Sequence, residues 1–467
     1  MQTPLAQRLA DYTTQVRFED LPADVVQEVK RRFLDSIGCA MGAYHAEPCR
    51  IARQIASQIS AEPGATIWGT DQRTAPDWAA FANGCLVRYL DYNDTYLSKE
   101  PAHPSDNIPA AFAAAQASGT NGRQLIAAVV AAYEIQCRLC DAASLRSIGW
   151  DHVTYCAFST TAAAGKVLGL NSDQLCNAMG IAGVACAALR QTRVGQLSHW
   201  KGCAAANAAR HGVFSAMLAA NGMTGPSPIF EGENGFEKLV SGKFGIGGPF
   251  SENEKSRDSG LMILQASIKC WPVEYHAQSA VEASLSLRRE LGNDFDPIKD
   301  IASVLIESHD AAVDIIGSEP EKWRPTRRET ADHSLPYIVA AALVDGQITD
   351  RQFEPGRFMD PELLDLLSRV HVQRNAELSG MYPQAVGNIV TIDFRSGRSL
   401  SRRVDYPLGH AKNPMTDQLV EEKFHRMADP LLGRRRADQV AAWIWKLDAA
   451  QSLEELPRLL NVPESRI

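Results

Sequence analysis

The chain has 467 residues, a net charge of −8, and 45% hydrophobic and 22% charged residues. That length exceeds what one core usually serves, so two domains are expected of an ordinary globular composition. The negative balance gives no basic surface and argues against a nucleic-acid partner, although a local cluster of Lys and Arg can still hold an anionic substrate.

The segment Met1-Gln2-Thr3-Pro4-Leu5-Ala6-Gln7-Arg8 has no apolar signal-peptide core, and no uninterrupted apolar run reaches membrane-spanning length. The ten cysteines are scattered, several within helical patterns (Cys39, Cys176, Cys186), and read as small buried hydrophobes in a reducing compartment. A cytoplasmic location and no membrane partner are expected.

Leu5, Leu9 and Tyr12 mark a short amphipathic helix over 4–13. Val25, Val26, Val29, Phe33, Leu34 and Ile37 predict a longer one over 22–43, with Asp20 and Pro22 as its start signal. A third covers 51–60. Ala65–Gly69 is a short extended piece ending in a turn. Thr74 is positioned to cap the next helix, which runs through Ala79, Phe81, Ala82, Leu86, Tyr89 and Leu90. That helix brings Asp91 to its C-terminal end, where the helix dipole opposes a carboxylate and a donor or cation is required. Ala-rich helices follow at 108–118, 122–143, 157–168, 172–188 and 203–220.

The texture changes near 266. Strands are predicted over 302–308 and 370–373, and a hairpin over 388–406 with its turn at Arg395-Ser396-Gly397-Arg398. Helices intervene at 274–292, 333–345 and 360–368, and helices return at 415–427, 435–447 and 452–460. The fold class is therefore mainly α: a large all-α helical domain (1–265, completed by 407–467) with a smaller α+β domain inserted over 266–406.

No Walker loop, no G-x-G-x-x-G after a strand and no His-Glu-x-x-His helix is present. Cys137-Arg138-Leu139-Cys140 is a C-x-x-C inside a predicted helix, without the context that would make it a redox or iron–sulfur motif. Polar groups concentrate elsewhere. Leu90-Asp91-Tyr92-Asn93-Asp94-Thr95-Tyr96 and His103-Pro104-Ser105-Asp106-Asn107 put carboxylates, a hydroxyl and an imidazole into one short span. Further polar interruptions are Gly149–Thr154 with His152, Leu189–Arg193 leading to His199-Trp200-Lys201, Ile268–His276, and Asp332–Tyr337. Imidazoles and cations at the ends of several helices are the raw material of an active site.

Taken in order, these segments resemble the MmgE/PrpD family over essentially the whole chain. The resemblance rests on Arg88–Tyr96, His103–Asn107, Asp151-His152-Val153, Lys201, Trp271–Ala283, Asp332-His333 with Tyr337, and Tyr406–His410. It implies a helical domain, a smaller lid domain with a cleft between them, a homodimer, and catalysis without metal or organic cofactor. The activity implied is dehydration of 2-methylcitrate or a related tricarboxylate. Pocket positions carry over to Asp91, Thr95, His103, His152, Lys201, Lys269, His276 and Tyr337, with Arg190 and Arg193 as helpers.

The chemistry those residues allow is loss of a proton next to a carboxylate and of hydroxide from the neighbouring carbon. Lys201 and Lys269 would stabilise the dianion that develops, a kind of contact typically worth about 10²–10³ in rate. His103 and His152 would exchange protons near neutral pH, in either order. Asp91 would orient or charge one imidazole, and Thr95 would donate to a substrate carboxylate. Alternative readings are cis-aconitate decarboxylation or epimerisation on the same scaffold, a non-catalytic tricarboxylate-binding protein, and an iron–sulfur hydratase.

Overall fold

The computed structural model describes residues 3–243, 245–251, 260–292 and 294–462. Two compact units emerge: Met1–Thr192, Gly202–Ala266 and Thr416–Ile467 form the first, and Arg193–Lys201 with Ser267–Met415 the second. The segment 407–415 groups with the second unit because it is hydrogen-bonded there: Ile268 N–H donates to the Gly409 carbonyl at 3.0 Å and Ala411 N–H to Ser267 Oγ at 3.1 Å.

The first unit is helical. Its main elements are α1 (Leu5–Gln15), α2 (Ala23–Gly42), α3 (Glu47–Ala56), α4 (Pro76–Arg88), α5 (Asn107–Ala117), α6 (Gly122–Ala142), α7 (Val153–Val167), α8 (Ser172–Ala185) and α9 (Ala204–Ala220). Helices Asp417–Leu432, Arg434–Ile444 and Glu455–Leu460 complete it. Small residues set how closely these helices approach. A Cβ at Gly84 would lie 2.8 Å from that of Ala206, and one at Gly212 would lie 2.9 Å from the Ala157 carbonyl oxygen. The α4–α9 and α7–α9 packings therefore tolerate no larger side chain at those points. Beside the helices, the described residues of this unit form a two-residue antiparallel ladder, β1 (Ala65–Thr66) with β2 (Arg73–Thr74), and isolated bridges such as Tyr96 with Ala102.

The second unit carries a four-stranded mixed sheet in the order β4-β3-β5-β6, from β3 (Ile301–Ser308), β4 (Val370–Arg374), β5 (Asn388–Phe394) and β6 (Ser399–Val404). β3 pairs in parallel with β4 (Val304 opposite Val370) and antiparallel with β5 (Ile306 opposite Val390). Val304, Ile306, Val390 and Ile392 share a core with Val281 and Leu287 of α10 (Gln278–Leu291) and with helix Leu335–Asp345. Gly397, at φ 85°, closes the β5–β6 turn in the left-handed conformation that glycine adopts cheaply.

Several boundaries differ from the sequence expectation. The third helix starts at Glu47, because Pro48 initiates rather than breaks it, and stops at Ala56. Thr74 does not cap α4: it is spent in β2, and Ala75 precedes Pro76 at the helix start. Asp20 pairs with Arg17 instead of capping α2. α7 begins four residues earlier than expected, directly after His152. α10 begins at Gln278, after a 3₁₀ turn over Tyr275–Ala277. α4 ends at Arg88, leaving Leu90 outside the helix. Among the described residues no helix is long and apolar enough to cross a membrane.

Candidate active site

In the first unit the site begins where α4 stops. Asp91 has φ 52° and is the one non-glycine among the described residues with positive φ. That conformation costs on the order of 1–3 kcal/mol and persists only where the surroundings enforce it. Here they do: the buried Arg88 guanidinium pairs with the buried Asp91 carboxylate. Arg88 is thus the cation that a carboxylate at a helix C-terminus requires.

The loop that follows is tied down by Asp94. Its Oδ1 accepts from Ser105 N–H at 2.9 Å and its Oδ2 from the Tyr133 hydroxyl of α6 at 2.7 Å. Asn93 Nδ2 donates to Ser105 Oγ at 2.9 Å and to Asp106 Oδ1 at 3.0 Å. The Asp94 main-chain carbonyl lies 2.7 Å from His103 Nδ1. A carbonyl only accepts, so Nδ1 carries the proton and, in the neutral ring, Nε2 keeps its lone pair. Thr95 Oγ1 stands 3.2 Å from the same Nδ1. Facing a proton donor, the Thr95 hydroxyl accepts and directs its own hydrogen elsewhere.

A second imidazole is held beside the first. The His103 and His152 ring centroids are 5.8 Å apart with planes at 61°. His152 occupies the residue before α7, and its Nδ1 lies 2.9 Å from Oδ1 of the fully buried Asp151. Asp151 is anchored through its own N–H to the Ala188 carbonyl at 2.7 Å, and the Ala188 N–H donates to Thr154 Oγ1 at 3.0 Å. Arg190 joins this scaffold by its backbone, donating to the Gly149 carbonyl at 2.9 Å.

The second unit holds its own polar cluster. Lys269, His276 and Asp332 are all buried. Glu274 Oε1 lies 2.7 Å from His276 Nδ1, its Oε2 accepts the His276 backbone N–H at 2.7 Å, and the Glu274 N–H donates to the Asp332 carbonyl at 2.9 Å. Burial alone would raise the Glu274 carboxyl. The charge and hydrogen bond of His276, with the charges of His333 and Lys269, outweigh it and take the pKa down to about 2. His276 Nε2 is 3.4 Å from the Tyr382 hydroxyl, and Tyr382 stacks on the fully buried His309 at 4.7 Å and 18°. Lys201 is buried in the same unit, and Arg193 Nη1 donates to its carbonyl at 3.1 Å.

Residues 7–247 match the MmgE/PrpD N-terminal domain and residues 271–447 the MmgE/PrpD C-terminal domain. The chain belongs to the MmgE/PrpD family. It is 31% identical to a probable 2-methylcitrate dehydratase of Saccharomyces cerevisiae, over 84% of this chain and 80% of that protein. It is 30% identical to a 2-methylcitrate dehydratase of Cupriavidus necator, over 90% and 91%. A cis-aconitate decarboxylase-like protein, oryM, of Aspergillus oryzae is 26% identical over 97% and 96%.

On this MmgE/PrpD scaffold the structure brings Thr95, His103 and His152 together in one unit, with Asp91 on the same loop, and Lys269 with His276 in the other. It does not gather Tyr337, whose hydroxyl donates to the Gln352 carbonyl inside the apolar core of the second unit. The residues beside the imidazoles were not singled out from sequence: Asp151 sits on His152, Glu274 on His276, and the Asp94 carbonyl on His103. Adjacency to a histidine, as in Asp151-His152 and Glu274-Tyr275-His276, was the available signal. Cys137 and Cys140 both lie buried in α6, where burial pushes each thiol up. Among the described residues no group of His, Cys, Asp and Glu is placed to hold a metal ion.

Proposed function

We propose that this chain is a carbon–oxygen lyase that removes water from 2-methylcitrate, or a closely related tricarboxylate, to give 2-methyl-cis-aconitate. The observation that carries the reading is the pair of imidazoles with different partners on Nδ1: a neutral carbonyl on His103 and a carboxylate on His152. A ring held with Nδ1–H on a carbonyl presents a bare Nε2, the form of a general base. A ring whose Nδ1 faces a carboxylate is favoured as imidazolium, the form of a general acid. His103 therefore takes the proton from the carbon beside a substrate carboxylate, and His152 gives one to the departing hydroxide on the neighbouring carbon.

Loss of the carbon-bound proton places a second negative charge on the adjacent carboxylate. Lys201 and Lys269, with Arg190 and Arg193 as helpers, stabilise that charge, and Thr95 donates its hydroxyl hydrogen to a carboxylate oxygen. Every step uses side chains of this chain, with no cofactor invoked. The ten cysteines are free thiols, in keeping with a reducing compartment, and we place the enzyme in the cytoplasm as a homodimer.

The likeness to a decarboxylase-like relative gives a second reading, loss of carbon dioxide from cis-aconitate. The test is a product analysis of the purified protein with 2-methylcitrate, citrate and cis-aconitate side by side. Alkene formation from 2-methylcitrate without gas release is the expected outcome; carbon dioxide release from cis-aconitate as the dominant reaction would replace the first reading by the second.

A further inference from the structure

The first unit holds a group of buried charges that the proposed chemistry leaves unused. Lys423, on helix Asp417–Leu432, and Asp35, on α2, are both buried, and their side chains meet at 2.5 Å. Burial raises the Asp35 carboxyl against the opposing charge of Lys423. One turn earlier on α2 stands the buried Arg32, whose guanidinium faces Asp94 Oδ2 at 4.0 Å. Glycine lets the two helices come this close: a Cβ at Gly38 would lie 3.1 Å from Cα of Phe424, the neighbour of Lys423.

Lys423 does more than pair with Asp35. Its side chain reaches the turn that follows α4, where Nζ donates to the Tyr92 carbonyl at 2.8 Å and stands 3.7 Å from the centroid of the Tyr92 ring. Donation to a carbonyl needs only an N–H, which an amine head carries whether or not it is charged. Tyr92 directly follows Asp91, the residue held at φ 52°, and stands two residues before Asp94, whose carbonyl meets His103 Nδ1. The Arg88–Asp91 pair holds the start of this turn, and Ser105 and Tyr133 hold the Asp94 side chain at its end. Lys423 holds the middle.

A core role alone accounts poorly for this placement. Apolar side chains of similar size often serve a core as well as a buried ion pair, or better. They cannot hold a carbonyl in place. A left-handed residue persists only where its surroundings enforce it, and the Tyr92 carbonyl is the next main-chain oxygen after Asp91 that such an enforcement can grip.

We infer that Lys423 is a positioning residue for the proposed base: by gripping the Tyr92 carbonyl it keeps the Asp91–Thr95 turn in its strained form, and with it the Asp94 carbonyl on Nδ1 of His103. Asp35 balances the charge that Lys423 carries into the interior. The inference rests on the dehydratase reading in taking His103 as the base, and it adds to that reading a residue from the C-terminal part of the chain.

The test uses the full-length protein with Asp35→Asn and with Asp35→Asn combined with Lys423→Met. The double variant removes both charges at once, so no buried charge is left unpaired and folding is retained. Three quantities are measured: the unfolding midpoint, kcat and KM on 2-methylcitrate, and the tautomer of His103 by NMR of its ring nitrogens, assigned by the signal that His103→Gln removes. The double variant is expected to lose the uniform Nδ1–H form of His103 and to lower kcat about tenfold or more, with KM changed far less, because one hydrogen bond that fixes the turn is gone. Asp35→Asn, which leaves the Lys423–Tyr92 contact in place, should keep the tautomer and most of kcat. A folded double variant with the wild-type tautomer and kcat overturns the inference. So does a folded Asp35→Asn protein as impaired as the double variant, since the ion pair and not the carbonyl contact would then be what acts. Failure of the wild type to turn over 2-methylcitrate overturns the dehydratase reading instead, and the His103 tautomer still decides whether Lys423 positions the ring.

Discussion

Tyr133 offers the cleanest perturbation of the base without touching it. Its hydroxyl, fully buried on α6, donates to Asp94 Oδ2 at 2.7 Å, and burial together with the Asp94 charge keeps the phenol protonated. Tyr133→Phe removes one oxygen and leaves the ring in place, so the cavity term is small. Among the described residues the freed carboxylate oxygen then faces the Arg32 guanidinium, 4.0 Å away and beyond hydrogen-bond range. Oδ1 keeps the Ser105 N–H. A hydrogen bond to a charged group contributes about 1.5–3 kcal/mol, and that is the expected loss of stability. Asp94 also supplies the carbonyl that sets the His103 tautomer, so part of the loss reaches the base. If all of it did, kcat would fall roughly 10- to 150-fold, since each 1.36 kcal/mol is a factor of ten.

The assay pairs calorimetric unfolding with turnover of 2-methylcitrate, for Tyr133→Phe alone and combined with His103→Ala. In the His103→Ala background the Tyr133 change should still cost stability but no further activity, because the two act through one group. An unchanged unfolding midpoint, or an additive loss of activity in the double variant, would refute the reasoning.

The other expectations follow from the same geometry. His103→Ala and His152→Ala should each lower kcat by about 10²–10⁴; near wild-type turnover in both would remove the imidazoles from the mechanism. Lys201→Met should cost about 10²–10³ in kcat by loss of transition-state stabilisation, and unchanged kinetics would reject that role. Acid should destabilise the second unit. Glu274 falls from an ordinary 4.5 to about 2 and His309 from 6.5 to about 3 on folding. The unfolded chain therefore binds more protons between about 6.5 and 2, and stability drains away as pH falls through that window. Unfolding midpoints of wild type and Glu274→Gln should converge as pH drops from 5 toward 2, and parallel curves would contradict the assignment. Cys137→Ala should leave kcat unchanged; loss of activity together with bound iron would revive an iron–sulfur reading.

Much of the fold was legible without coordinates. Val25, Val29, Phe33 and Ile37 repeat at the helical period and bury one face of α2, and alternation along Asn388–Phe394 identifies a strand. Helix starts were less legible at Glu47 and Pro76, where proline sets the first turn without a side-chain cap. The candidate site was legible as a set of residue types at helix ends. It was not legible as a set of pairs: that the Asp91 carboxylate meets the Arg88 guanidinium, and that Asp151 stands beside His152, emerges only on folding.

The amino-acid order by itself determined the helical majority, the inserted α+β region and the roster of imidazoles, ammonium groups and carboxylates, because periodicity and composition are local properties of the chain. Only the tertiary structure decided which nitrogen of His103 carries the proton, which carboxylate faces His152, and that the Tyr337 hydroxyl is spent on Gln352. Those outcomes depend on hydrogen-bond partners met through folding, and a directional bond of under 3 Å is specified by packed coordinates, not by spacing along the sequence.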